Sequence, residues 1–254
     1  MNNQIQKDTQ KNIPKKPTPN SQAHRALKPL IKRSVLSNPS RSSKQIQERK
    51  IKFVIFDFGE VFVKDMDKAM KIYTEKTGVD VHYVFMEQMK PQWKAWERGE
   101  ITEAEFNDAF VKEVNSDKFD VKEMWSRFWS LMRRDEAITE LIKQLRHDGY
   151  TTALLTNNTK EWIEEYNQRD PFDQYFDLVI SSHAVGMVKP DPRIYELTMR
   201  RLGAKPEECI FVDDKERNTK AAEAVGMNVV MLKSSEQAIS EVYSLLKRVD
   251  CEKR

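Results

Sequence analysis

With 254 residues and 39% hydrophobic content, the chain has enough apolar mass for one substantial core and a second small one. Two cysteines exclude a disulfide framework, and no Cys/His cluster points to zinc. No apolar run approaches the roughly twenty residues that cross a bilayer, and the first residues lack the apolar core of a signal peptide, so no membrane partner and a cytoplasmic location are expected.

The net charge of +3 is unevenly spread. Residues 1–50 hold 12 Lys/Arg against Asp8 and Glu48, about +10, whereas the remainder holds 31 basic against 38 acidic residues, or −7. Five prolines (Pro14, Pro17, Pro19, Pro29, Pro39), many Ser, Asn and Gln, and no sustained periodicity predict a disordered basic tail over 1–50. No aromatic residue interleaves with the charge, which argues against nucleic acid as a partner. A mitochondrial presequence is the alternative use of the tail, since it is poor in acidic residues, although it is not clearly amphipathic.

From Ile51 onward the chain alternates apolar strands with helical stretches. The first strand is I-K-F-V-I-F (51–56). Helical patterns follow at M-D-K-A-M-K-I-Y-T-E-K-T, in a pair around Trp93 and Trp96, at T-E-A-E-F-N-D-A-F-V-K-E-V and at V-K-E-M-W-S-R-F-W. Four more strands read at 151–155, 177–181, 208–212 and 228–232. Their apolar runs are nearly continuous, as in strands buried on both faces, so a parallel sheet with crossover helices is expected. Gly78, Gly149, Gly203 and Gly226 sit where helices should end, and Thr102-x-x-Glu105 has the spacing of a capping box. Trp93, Trp96, Trp125 and Trp129 recur at helical spacing, which reads first as packing, with one of them a candidate for the mouth of a site.

In such sheets ligands bind beyond the carboxyl ends of the strands. The residues there are Asp57, Thr156-Asn157, Ser182 with Lys189 shortly after it, and Asp213-Asp214. Each has an ordinary explanation on its own: a turn aspartate, a helix cap, a solvated lysine. Together, a carboxylate, a hydroxyl, an ammonium and a carboxylate pair make an inventory suited to a phosphate held with a divalent metal. Asp57 would attack phosphorus, Lys189 and Mg2+ would supply positive charge, and Thr156 Oγ1 with the Asn157 N–H would hold the phosphoryl oxygens. Asp214 would bind the metal, with Asp213 beside it directly or through water, and oxygen-only ligands favour magnesium over zinc or copper.

F-D-F-G-E-V at 56–61, L-L-T-N-N-T at 154–159, G-M-V-K-P-D-P-R-I-Y at 186–195 and F-V-D-D-K-E-R-N at 211–218 resemble, in order, the four motifs of haloacid dehalogenase-like hydrolases. The resemblance implies an α/β fold, a Rossmann-like doubly wound parallel sheet with an inserted α-helical cap. It divides the chain into a core at 51–63 and 135–254 and a cap at 64–134. It further implies Asp57 as nucleophile, Thr156 as phosphate ligand, Lys189 as charge stabiliser, Asp57, Asp213, Asp214 and the Gly59 carbonyl as magnesium ligands, and Asn218 as the residue orienting the acidic loop. W-E-R-G-E-I-T-E-A-E-F together with the third and fourth motifs looks similar to the branch containing bacterial α-D-glucose-1-phosphate phosphatases, which implies a sugar phosphate as substrate.

One position departs from the family pattern. Most phosphatases of this family carry an acid two residues after the nucleophile, to protonate the leaving group, and here that position is Gly59. Glu60 and Asp65 are the nearby carboxylates that could stand in, and Arg98 and His183 are candidate substrate contacts. The gap leaves two alternatives to a phosphatase: a catalytically weak or inactive binding protein of the same fold, or a metal-independent 2-haloacid dehalogenase. The Asp213-Asp214 pair argues against the second, because it repels an anionic substrate unless a cation lies between them. Deleting residues 1–48 is expected to leave turnover unchanged, and comparing kcat of the truncated and full chains tests it.

Overall fold

The computed structural model describes residues 50–251. Apart from Lys50, the expected basic tail lies outside the described residues. In chain order the first elements are β1 (Phe53–Phe56), β2 (Val63–Lys64), α1 (Met66–Thr77), α2 (Val81–Tyr83), which runs into a π-turn at Val84–Gln88, α3 (Lys90–Glu97), α4 (Glu103–Val114), α5 (Val121–Leu131) and β3 (Arg133–Arg134). There follow α6 (Glu136–His147), β4 (Thr151–Thr156), α7 (Lys160–Arg169), β5 (Leu178–Ser181), α8 (Ser182–Val185), α9 (Pro192–Leu202), β6 (Cys209–Asp213), α10 (Glu216–Ala224), β7 (Asn228–Met231) and α11 (Ser235–Cys251).

The five long strands form one parallel sheet in the order β5-β4-β1-β6-β7. β1 is central because F-V-I-F offers side chains to both faces. Val54 and Phe56 join a core with Ile138, Leu141 and Ile142 of α6 and Val242 of α11, while Ile55 packs with Ile194 and Tyr195 of α9 and Ala222 of α10. Helices thus cover both faces, which makes the sheet doubly wound. Ile55, Leu155 and Phe211 are fully buried, and each such side chain contributes roughly 1.5–3 kcal/mol.

The observed strands agree with the expected ones to within a residue or two at their ends, and the ladder continues one residue further in β4 and β6, to Thr156 and Asp213. Helix ends follow local chemistry. Gly78 and Gly203 take φ of 68° and 66°, the left-handed conformation that an L side chain rarely adopts, and they end α1 and α9. The capping box at Thr102 and Glu105 forms at the start of α4. The pair of helices expected around Trp93 and Trp96 is instead a single helix, α3, carrying both tryptophans, because Pro91 starts it and Gly99, at φ 70°, follows its end.

Between the short antiparallel strands β2 and β3 every element is helical, from α1 to α5. Its aromatic side chains form one cluster: Trp96 stacks on Phe106 at 4.7 Å, and Phe85 packs against Trp93, Phe110 and Trp125. Trp162 of α7 inserts into this cluster from the sheet side, 5.0 Å from Trp93 and 4.8 Å from Phe128 between ring centroids. Among the described residues, no helix is long and apolar enough to cross a membrane.

Candidate active site

Parallel register brings the strand-end side chains to one level. Phe56 pairs with Val212 in β6, so the next residues, Asp57 and Asp213, lie abreast, and the Asp57 N–H donates to the Val212 carbonyl at 2.9 Å. Lys189 enters from the loop between α8 and α9. Its Nζ lies 2.6 Å from Asp57 Oδ1 and 2.7 Å from Asp213 Oδ2, and its side chain is 1% exposed. Asp57, Asp213 and Asp214 each place a carboxylate oxygen within 4.8 Å of the others.

The supporting bonds divide the labour within this cluster. Asp213 is saturated: Asn218 Nδ2 donates to both of its oxygens at 3.0 Å, the Lys215 N–H to Oδ1 at 2.8 Å, and Lys189 to Oδ2. Asp214 differs, because its Oδ1 is buried and has no hydrogen-bond partner. A buried anionic oxygen without a partner is costly unless a cation meets it. Lys189 is held at its backbone by the side chain of Asn157, whose Oδ1 accepts the Lys189 N–H at 2.7 Å and whose Nδ2 donates to the Lys189 carbonyl at 2.9 Å.

Three carboxylates around one ammonium leave a negative imbalance in a buried place. Burial pushes the Asp57 carboxyl up to about 7, Lys189 pulls it down, and the neighbouring Asp213 pushes it further up. Asp214 is also raised, chiefly by burial. For Lys189, burial favours the neutral amine, but Asp57 and Asp213 outweigh it and hold the ammonium above its usual range. A divalent cation beside Asp214 relieves the whole set, since it satisfies the orphaned oxygen and offsets the surplus charge.

A cavity of about 220 Å³ opens over the cluster. Its floor includes Asp57, Gly59, Thr156, Asn157, Lys189 and Asp214. Its apolar lining includes Met66, Met70, Phe85, Trp93, Phe128 and Trp162, and Lys215 and Arg217 add cationic groups. Lys94 and Glu97 of α3 also line it, and they are paired with each other at 2.5 Å, with Trp93 Nε1 donating to Glu97 Oε1 at 2.8 Å. The helical segment is tied to the sheet by Ser182, whose Oγ donates to the Glu97 carbonyl at 2.5 Å and accepts the Asn158 N–H at 3.0 Å.

Asp57, Gly59, Thr156, Asn157, Lys189 and Asp214 therefore meet at one cavity, and Asp213 stands behind it. The other candidates do not join them as substrate groups. Glu60 also lines the cavity, but its Oε1 accepts the Met66 N–H at 2.9 Å at the start of α1. Asp65 pairs with Arg133 at 2.8 Å. Arg98 pairs with Glu100 at 2.6 Å, and His183 Nδ1 lies 3.1 Å from both Ser181 Oγ and the Asn158 carbonyl. Of the expected tryptophans, Trp93 reaches the cavity. Several contributors escaped the sequence reading. Met66 and the Asn157 side-chain clamp depend on loop geometry, whereas Trp162 had a signal, lying six residues beyond the end of β4 on the ligand side of the sheet.

The sequence profile of haloacid dehalogenase-like hydrolases matches residues 54–232. Bifunctional epoxide hydrolase 2 of Rattus norvegicus is 31% identical over 133 residues, 50% of this chain and 24% of that protein. Sesquiterpene phosphatase astK of Aspergillus oryzae is 27% identical over 154 residues, 61% of this chain and 79% of its own length. (S)-2-haloacid dehalogenase 4A of Burkholderia cepacia is 31% identical over 93 residues, 37% of this chain and 40% of that protein. The chain spans a quarter or less of the length of the first mammalian relatives it matches, 24% of the rat protein and 15% of Acyl-CoA dehydrogenase family member 10 of Mus musculus. Among solved structures, the magnesium complex of HAD family enzyme bt-2542 from Bacteroides thetaiotaomicron superposes with a TM-score of 0.61 at 25% identity, covering 73% of this chain and 94% of the other.

Proposed function

This chain belongs to the haloacid dehalogenase-like hydrolases, and on that premise we propose that it is a magnesium-dependent phosphatase acting on a small phosphorylated metabolite through an aspartyl phosphate at Asp57. The observation that carries this is the buried cluster in which Lys189 bridges Asp57 and Asp213 while Asp214 Oδ1 stands without a partner. The donor set suits magnesium, being oxygen-only and held within 4.8 Å. Asp57, Asp214, the Gly59 carbonyl and Asp213, directly or through water, would hold the ion. Bound there, it supplies positive charge to the phosphoryl oxygens.

The chain's own residues do the rest. Asp57 attacks phosphorus, and the bond to the leaving oxygen breaks. Lys189 and the Thr156 hydroxyl, with the Asn157 N–H, hold the transferring oxygens where charge develops. Water then attacks the aspartyl phosphate, giving inorganic phosphate and the free carboxylate. Residues 64–134 act as a cap over a core at 51–63 and 135–254, and their aromatic cluster keeps bulk water from the cavity.

Gly59 favours one alternative, a binding protein of the same fold with weak or no turnover. Dehalogenation fits less well, because a buried carboxylate cluster opposes a haloacid anion. The sugar expected from the resemblance to glucose-1-phosphate phosphatases rests on sequence segments alone; of the polar groups lining the cavity, Lys94 and Glu97 are engaged with each other, and Lys215 and Arg217 are cations suited to a phosphate.

Incubating the protein with magnesium and a panel of phosphomonoesters, sugar phosphates included, tests the proposal. Magnesium-dependent phosphate release that Asp57→Asn abolishes is expected. Full activity in Asp57→Asn contradicts it, tight magnesium-dependent binding without release favours the inactive protein, and halide release from a 2-haloacid without metal favours the dehalogenase.

A further inference from the structure

We propose that the substrate is an aryl phosphomonoester, one aromatic ring carried on the leaving oxygen, and that Met66 is a specificity-determining residue for it; this rests on the phosphatase reading above. Two independent features of the cavity converge on that chemistry.

The first is that, among the described lining residues, no free carboxylic acid or imidazole stands ready to protonate the leaving group. Four carboxylates line the cavity. Asp57 and Asp214 belong to the metal cluster, Glu60 caps α1 through the Met66 N–H, and Glu97 is engaged by Lys94 and Trp93. No histidine is among the described lining residues. The space beside Asp57 where an acid could stand is taken by a thioether: a Cβ on Gly59 would lie 2.9 Å from Met66 Sδ, so any side chain there must displace Met66. A leaving group that departs unaided must be a stable anion. A phenol, ionising near about 10, meets this condition, whereas an alkyl alcohol ionises near the value for water, roughly 15.7.

The second is the shape and character of the wall. Met66, Met70, Phe85, Trp93, Phe128 and Trp162 offer an aromatic ring edges, faces and polarisable sulfurs, while the cationic Lys215 and Arg217, which also line the cavity, suit the phosphate group. The volume is sufficient: an apolar cavity of roughly 150 Å³ accepts benzene, and this one is about 220 Å³. One ring and a phosphoryl group fit.

The step balances without a further co-reactant. Asp57 Oδ forms a bond to phosphorus as the P–O(aryl) bond breaks, the electron pair leaves on the aryloxide oxygen, and that oxygen takes its proton from water. A second water then hydrolyses the aspartyl phosphate.

The test measures kcat/KM, with magnesium, for phenyl phosphates of graded phenol acidity, for cyclohexyl phosphate as an alkyl control of the same size, and for glucose 6-phosphate. Phenyl over cyclohexyl phosphate by at least about 100-fold is expected, the lower bound of what a general acid is worth, together with faster turnover as the phenol becomes more acidic. Cyclohexyl phosphate or glucose 6-phosphate within a few-fold of phenyl phosphate overturns the inference while leaving the phosphatase reading intact. No release from any ester overturns both. A phosphotyrosine peptide tells a protein side chain from a free aryl phosphate as the source, since turnover of the peptide equal to that of phenyl phosphate keeps the chemistry and moves the source. In the Gly59→Asp/Met66→Ala double variant the phenyl-to-cyclohexyl gap is expected to narrow. An unchanged gap in a folded double variant removes Met66 from the account, and if that variant does not fold, the ester series on the native chain decides.

Discussion

Lys189 shows how firmly a single side chain is fixed in place. Its ammonium is buried between two carboxylates, and its backbone is gripped from both sides by Asn157. Lys189→Met leaves those carboxylates facing each other without a cation, so phosphate release is expected to fall by about 10²–10³, the usual cost of losing one preorganised charge donor. Asn157→Ala removes two hydrogen bonds worth roughly 0.5–1.5 kcal/mol each. It is expected to lower kcat by about tenfold or more with KM little changed, because Lys189 loses its position rather than its charge. Phosphate release by Lys189→Met equal to that of the wild type, or an Asn157→Ala effect on KM alone, counts against these roles. Asp57, Thr156, Lys189 and Asp213-Asp214 were legible in the sequence because each follows directly or closely on an apolar strand. The Asn157 clamp and the placement of Met66 were not, since both depend on how loops separated by up to 32 residues fold back on each other. Cys209 carries a prediction of a different kind. Burial pushes its thiol up to about 12, with Glu208 and Glu207 adding to the effect, so it stays protonated through the neutral range. Peptide mapping after alkylation at mildly alkaline pH is expected to find Cys209 unmodified in the folded protein, and rapid modification there contradicts the burial.

At the scale of elements, the chain between β2 and β3 is joined to the sheet by packing as well as by hydrogen bonds. Trp162 on α7 touches Trp93, Trp125, Phe128 and Trp129, so one core side chain anchors two helices of the insertion. Trp162→Ala is expected to cost about 3–5 kcal/mol, the usual range for deleting a buried aromatic, and to be seen as a lower denaturation midpoint. The Thr102 capping box is a smaller test of the same helices: Thr102→Ala is expected to lower stability by about 1 kcal/mol. Helix α1 was readable from its 3.6-residue apolar rhythm and from Gly78 at its end. The π-turn at Val84–Gln88 was not, because V-F-M-E-Q carries the same rhythm as an ordinary helix, and the distortion arises where the Met89 N–H reaches back to the Val84 carbonyl.

For the molecule as a whole, the sheet order and the doubly wound layers follow from strands apolar on both faces, and the register then delivers the acidic cluster to one level without further design. The cluster's surplus of negative charge makes folding and metal binding linked. Magnesium at a hundred times its dissociation constant is expected to stabilise the protein by about 2.7 kcal/mol, measured as a rise in melting temperature that Asp214→Asn abolishes. An equal rise in the variant places the ion elsewhere. What the whole arrangement is for, though, turns on Asp57. The most direct measurement is rapid acid quenching of the protein with magnesium and a labelled phenyl phosphate, followed by peptide mapping. A hydroxylamine-sensitive phosphoryl group on Asp57, formed as fast as turnover, is the expected result; label on another residue, or steady turnover in Asp57→Asn, contradicts the account.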